Sequence, residues 1–203
     1  DISLTCPSKE WFEETLKELE KVDGKLKFHI KLETGMNRIG ISDEKELMEI
    51  HNLFYSEKTE FEGIFSHYSN ADGEDNEYDD YQIANFNRLV ELFKLKPKYI
   101  HIDNSAGVIK YNNRNDICNL TRIGIALYGC YPSSNIEKLN KVSLEPVVSL
   151  VSKVTHVKKI PKGTKVGYGI SYEALEDEYI ATIPIGYADG LLRRAQGFKL
   201  NVA

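Results

Sequence analysis

The chain has 203 residues, 41% of them hydrophobic, enough for one large domain or one and a half ordinary ones built on a real core. Its 31 acidic and 26 basic residues are mixed along the chain to a net charge of -5, which leaves no basic stripe for nucleic acid and no polybasic membrane patch. Three cysteines, Cys6, Cys118 and Cys130, are odd in number and form no CxxC pair, which argues against a disulfide framework and a structural zinc site and for a reducing cytoplasm.

The first apolar run, ISLTC at 2–6, reads as a strand. SKEWFEETLKELEKV follows, opening on Ser8 as a helix cap and bringing Phe12, Leu16 and Leu19 to one helical face. LKFHIKL at 26–32 is the second strand, with Phe28, Ile30 and Leu32 on one side and His29 and Lys31, continued by Glu33, on the other. That alternation fits a surface strand or one whose polar face lines a site. A helix is expected from Ser42 through SDEKELMEIHNLFY, with Glu44 and Glu46 at its positive end. FEGIFSH at 61–67 is the third strand, and DDYQIANFNRLVELFKL carries Ile83, Phe86, Leu89, Val90 and Phe93 at helical spacing. KYIHID at 98–103 is the fourth strand, again two-faced, with Ile100 and Ile102 opposite Tyr99, His101 and Asp103. ICNLTRIGI at 117–125 reads as a fifth.

Strands alternating with helices argue for parallel pairing through right-handed crossovers. No GxGxxG follows a strand, which disfavours a dinucleotide fold. Polar groups gather where the strands end, at 33–38, 67–69, 103–105 and Arg122, as they do in barrel enzymes. The expected class is α/β: a partial (β/α)8 TIM barrel, with about five of its eight strands, followed by the start of an antiparallel β domain. Boundaries are expected at 1–130 for the barrel part, 131–145 for a linker and 146–203 for the β domain, where PVVSLVSKVTHVKKI, TKVGYGISY and EYIATIPIGYADG are β-type runs. No apolar run approaches the ~18 residues of a membrane span, and DISLTCPSKEW lacks the regions of a signal peptide.

Six stretches, in order along nearly the whole chain, resemble alanine racemase: HIKLETGMNRIGI, GIFSHYSNAD, YIHIDNSAG, TRIGIALYG, KVGYGISYEA and ATIPIGYADGLLRR. This is a fold-type III family that uses pyridoxal 5'-phosphate (PLP), with an N-terminal eight-stranded barrel and a C-terminal β domain. The resemblance implies a cytoplasmic, homodimeric isomerase that interconverts L- and D-alanine for peptidoglycan precursors. It would remove the Cα proton with two bases on opposite faces while PLP delocalises the charge. One base is the PLP-bearing lysine; the other is a tyrosine of the partner subunit, matched here by Tyr168. Taken alone, Tyr168 also reads as a packing tyrosine. A phenol is a poor base at neutral pH unless cations favour its anion.

By the same resemblance Arg122 faces the pyridine nitrogen, where a guanidinium can only donate. His101 bonds that arginine, and His67 lies near the catalytic phenol. Asn104, Ser105, Gly124 and Ile125 match the cofactor site, where amides and a hydroxyl hold phosphate; small residues there also serve as plain turn punctuation. Lys31 matches a lysine carried as a carbamate that orients Arg38, and the ordinary alternative is a lysine paired with Glu33 or another carboxylate. Tyr187 matches a gate on the substrate channel. No metal is implied.

Asn37, Asp103 and Ile123 depart from the family pattern, and nothing matches its KADAYG-like segment with the PLP lysine. The chain therefore reads as the middle of a longer protein, spanning barrel strands four to eight, and is expected to be inactive by itself. Serine or broad-specificity racemisation shares these motifs. A non-catalytic PLP-binding barrel protein is the reading from another class, and KVGYGISY and GYADG count against it.

Overall fold

In the computed structural model, strands Ser3–Cys6 (β1), Leu26–Lys31 (β2), Thr59–Phe65 (β3) and Tyr99–His101 (β4) pair in parallel in that order. Residues 2–54, 57–93, 96–112 and 114–192 are described; Tyr55, Lys94, Leu95, Arg193 and Arg194, which the expected helices and motifs include, lie outside them. Each strand is followed by a helix: Lys9–Leu19 (α1), Glu44–Leu53 (α2), Glu77–Glu91 (α3) and Ser105–Tyr111 (α4). The chain divides into two units, Asp1–Val147 and Val148–Ala203.

Local chemistry sets the helix starts. The Ser8 hydroxyl accepts the Trp11 amide and caps α1, as its sequence promises. The cap of α2 is Asp43 rather than Ser42, since the Asp43 carboxylate reaches the Glu46 amide at 2.8 Å. The apolar faces then meet under the sheet. Phe12, Phe28 and Phe54 are buried and in mutual ring contact at 4.8 to 6.0 Å, joined by Phe61 and Phe93. Burying such side chains contributes roughly 1.5–3 kcal/mol each.

The opposite face of the sheet is polar. β2 and β3 stay in register up to Phe28 and Phe61, after which His29 pairs with Gly63, so Glu62 is the extra residue of a bulge. The insertion changes the parity of β3: Phe61 and Ile64, three positions apart, both pack into the apolar cluster, while Glu62 reaches His29 on the other side.

The expected fifth strand does not form. Residues 117–125 run beside β4, with the Asn119 amide on Ile100 O and the Arg122 amide on Asp103 O. The Ile100 amide, however, is taken by the Asn119 side-chain oxygen at 2.9 Å, which replaces the backbone carbonyl that a ladder needs. Residues 131–145 hold a further short helix, Ser134–Lys138 (α5), capped by Ser133 and with Ile136 buried. This stretch belongs to the first unit. Gly129 sits beside it at φ +74, where a Cβ would come within 1.9 Å of Glu145 O, so both backbone conformation and space require glycine.

The second unit is antiparallel, as expected. His156–Ile160 (β5) pairs with Glu178–Thr182 (β8), and Lys165–Val166 (β6) with Tyr172–Glu173 (β7). The apolar run that begins at 146 and enters this unit at Val148 becomes a regular strand only at His156, preceded by one ladder contact, the Thr155 amide on Thr182 O. Ile160 and Ala174 are buried within this unit. Among the described residues no helix is long and apolar enough to cross a membrane.

Candidate active site

The strand ends and the loops after them border an open cavity of about 490 Å³, whose lining includes His67, Asn104, Ser105, Arg122, Gly124 and Ile125. Six of the residues singled out in the sequence therefore meet in one place. Parallel pairing brings this about: every strand of the sheet ends on the same side, so the residues that follow β3 and β4 become neighbours.

Arg122 is the hub. Its Nη1 donates to His101 Nδ1, and its Nη2 reaches Ser66 O at 2.7 Å, Ile102 O at 3.1 Å and His67 Nδ1 at 3.1 Å. Phe65 covers the guanidinium at 5.2 Å and stacks on His101 at 4.9 Å. The Nε–H has no partner among the described residues, so a donor remains for a bound group. Burial, opposed by the Asp103 carboxylate, pushes the Arg122 pKa down to about 10. It is still a cation at neutral pH.

Both histidines beside it are held neutral. Burial, then the Arg122 charge, lowers His101 to about 3 and His67 to about 4. His67 is placed by a residue that the sequence reading missed. Gln82 of α3 donates to His67 O at 3.0 Å and accepts from the Ser69 amide and hydroxyl. The available signal was a glutamine in helical register with Phe86 and Leu89, on a face that also buries Asp79.

At the other end of the cavity the Ser105 hydroxyl accepts the Gly124 amide at 2.8 Å and the Ala126 amide at 3.4 Å. Asn104 caps α4 by accepting the Gly107 amide and donates to Tyr68 O. The two amides are spent on Ser105 Oγ, which leaves the Ser105 O–H as the donor offered to an anion there. A cofactor with a phosphate at one end and a heteroaromatic nitrogen at the other fits these residues.

Lys31 lies deep, 2% exposed, with its ammonium on Leu32 O at 2.6 Å and 5.8 Å from the Phe65 ring. No ion pair with Glu33 is formed: the Glu33 carboxylate instead accepts the amides of Gly35 and Arg38. Burial lowers the Lys31 pKa to about 8. Arg38 is exposed, and its charge is felt at both Lys31 and His67. Asn37, in place of the family's glycine, has φ +55, which asparagine tolerates better than most residues. Asp103 is buried with its Oδ1 unpartnered among the described residues, and burial raises its pKa.

Tyr168 and Tyr187 belong to the second unit and are not among the cavity-lining residues. Tyr168 is 93% exposed, on a turn with Gly167 and Gly169 both at positive φ, and Tyr187 is 76% exposed on a turn of its own.

Comparison with known proteins gives a consistent result. Residues 1–132 match the family described as "Alanine racemase, N-terminal domain" and residues 147–203 "Alanine racemase, C-terminal domain". An alanine racemase of Lactobacillus gasseri is 42% identical over 207 residues, covering 100% of this chain and 54% of that protein. The crystal structure of alanine racemase from E. faecalis superposes with a TM-score of 0.85 at 36% identity, covering 97% of this chain and 53% of that one. The Bacillus anthracis alanine racemase with bound L-Ala-P gives 0.83 at 39% identity, covering 98% and 52%. The chain spans about half the length of the curated relatives it matches.

Proposed function

The chain belongs to the alanine racemase family, and from that premise we propose that it serves a PLP-dependent racemase that interconverts L- and D-alanine. The observation that supports this reading is a single cavity lined by the cation hub Arg122 together with Ser105, Gly124 and Ile125, where the Ser105 hydroxyl is held by the Gly124 amide. PLP, when bound, supplies the delocalisation that lets an α-proton leave as H⁺. In this reading Ser105, Gly124 and Ile125 hold its phosphate and Arg122 faces its ring nitrogen. A donor that cannot give up its own proton leaves that nitrogen unprotonated, which tempers the electron sink and favours return of the proton over side reactions. His101 and Asn104 keep these groups in place.

Tyr168 is the base that moves the proton at Cα on one face. Its exposure supports service to a site outside its own unit, hence a homodimer with shared active sites. Arg38 helps hold substrate and the phenol, and neutral His67 is the phenol's hydrogen-bond partner. Lys31, as a carbamate, would give Arg38 a planar acceptor; its lowered pKa supplies the free amine that carbon dioxide requires. Tyr187 guards entry. The product would feed peptidoglycan precursors in the cytoplasm.

The test is formation of D-alanine from L-alanine by the gene product that contains this chain, with PLP added and serine assayed alongside. Tyr168→Phe should abolish turnover and leave PLP binding unchanged. A PLP-loaded protein that isomerises no amino acid overturns the reading.

A further inference from the structure

Behind Arg122 the polar face of the sheet carries an unbroken file of hydrogen bonds. Arg122 Nη1 meets His101 Nδ1; His101 Nε2 meets His29 Nδ1 at 2.9 Å; His29 Nε2 meets Glu62 Oε2 at 3.3 Å. The Ser3 hydroxyl donates to the same carboxylate oxygen and closes the file on β1. One residue comes from each of β2, β3 and β4, and the bulge in β3 is what brings Glu62 into line.

The chemistry of the two ends fixes every proton between them. A guanidinium only donates and a carboxylate only accepts. All three links are therefore satisfied by one arrangement: His101 and His29 both neutral, each with its proton on Nε2 and its lone pair on Nδ1. A second proton on either ring would set N–H against N–H or N–H against guanidinium. The rings are also held in place, with Phe65 stacked on His101 at 4.9 Å and Tyr99 on His29 at 5.9 Å. The side chains of His29 and Glu62 are only 15% and 10% exposed, so water screens the file little.

We propose that this file is a charge relay, in which Glu62 and His29 act as positioning residues that set how strongly Arg122 donates into the cavity. Neither lines the cavity, whereas Arg122 does. The carboxylate polarises His29, which becomes a better acceptor for His101, which in turn becomes a better acceptor for Arg122. The guanidinium then spends part of its donating strength backwards and presents less positive character to a bound group. No proton or electron is transferred along the file. Its existence rests on the hydrogen-bond geometry; its use at a pyridine nitrogen rests on the proposed function.

Long-range proton–nitrogen NMR on the PLP-free protein at neutral pH tests it without any variant. Both rings should carry the proton on Nε2, and a proton on Nδ1 of either overturns the relay. Glu62→Gln keeps size and an acceptor and removes the charge. It should shift the ring nitrogens of His29 and of His101, two links away, and in the PLP-loaded protein move the cofactor absorption band. Shifts confined to His29, with the band unmoved, reduce the file to local packing and overturn the proposal while leaving PLP binding intact. If His101 shifts but the protein takes up no PLP, the relay stands and the proposed function fails.

Discussion

Gly63 on β3 leaves empty the space that the His29 ring of β2 occupies: a Cβ at Gly63 would lie 2.4 Å from His29 Nδ1. Two neighbouring strands thus share one side-chain volume. Gly63→Ala should destabilise the fold by ~1–3 kcal/mol, the usual cost of overpacking a filled site. Removing the ring as well, in Gly63→Ala with His29→Ala, should recover most of that loss in urea unfolding. A double variant that unfolds no later than Gly63→Ala would sink the shared-volume account.

Arg122→Lys should weaken PLP binding about tenfold or more (~1.4 kcal/mol). A lysine presents a point charge and cannot hold His101, Ser66 O and Ile102 O while still donating into the cavity. Titration of PLP absorbance against the two proteins measures this, with circular dichroism to establish that the variant folds. Equal affinities would remove Arg122 from the cofactor site.

Ser105→Ala removes the hydroxyl on which the Gly124 and Ala126 amides converge. A hydrogen bond to a charged group contributes ~1.5–3 kcal/mol, so the dissociation constant for PLP should rise roughly tenfold or more. Pyridoxal, which lacks the phosphate, should be almost indifferent to the change. If both ligands weaken alike, the anion is held elsewhere.

Stability should fall as the solution is acidified below the ordinary histidine pKa. His67 and His101 are lowered by burial to about 4 and about 3, whereas in the unfolded chain they titrate near 6.5. Between those values the unfolded state binds more protons than the folded one, so the folded state loses ground as pH falls. The slope is at most about 1.4 kcal/mol per pH unit for each histidine. Urea midpoints compared near pH 7 and near pH 5 should differ less in a His101→Gln variant than in the parent. An identical pH dependence in both would count against a neutral, buried His101.

Lys31 should react with carbon dioxide more readily than a surface lysine. Its pKa, lowered by burial to about 8, leaves far more free amine near neutrality than the usual value of about 10.4 would. Isotope-labelled bicarbonate should give a carbamate carbon resonance that grows from about pH 7 to about pH 9 and is absent in Lys31→Ala. A signal that survives the substitution would belong to another amine.

Periodicity and punctuation along the chain decide much of this protein's local structure. The spacing of Phe12, Phe86 and Leu89, the Ser8 cap and the two-faced strands at 26–32 and 98–103 specify an α/β chain with one polar sheet face. Those are local properties, read over a few residues at a time. The motif matches singled out Arg122, His67, His101, Asn104, Ser105, Gly124 and Ile125 as a set, and parallel pairing made them neighbours.

What the tertiary structure decided depends on relations between strands, to which a single strand's pattern is blind. Residues 117–125 have the composition of a strand, yet the Asn119 side chain takes the amide a ladder would have used. His29 and Glu62 look like ordinary polar positions until the bulge before Gly63 sets Glu62 on the side that His29 already faces, and His101 links the pair to Arg122. Glu-Gly inside an apolar strand hinted at a bulge. Which ring it would admit, and which cation that ring would reach, was settled only by the register of three strands.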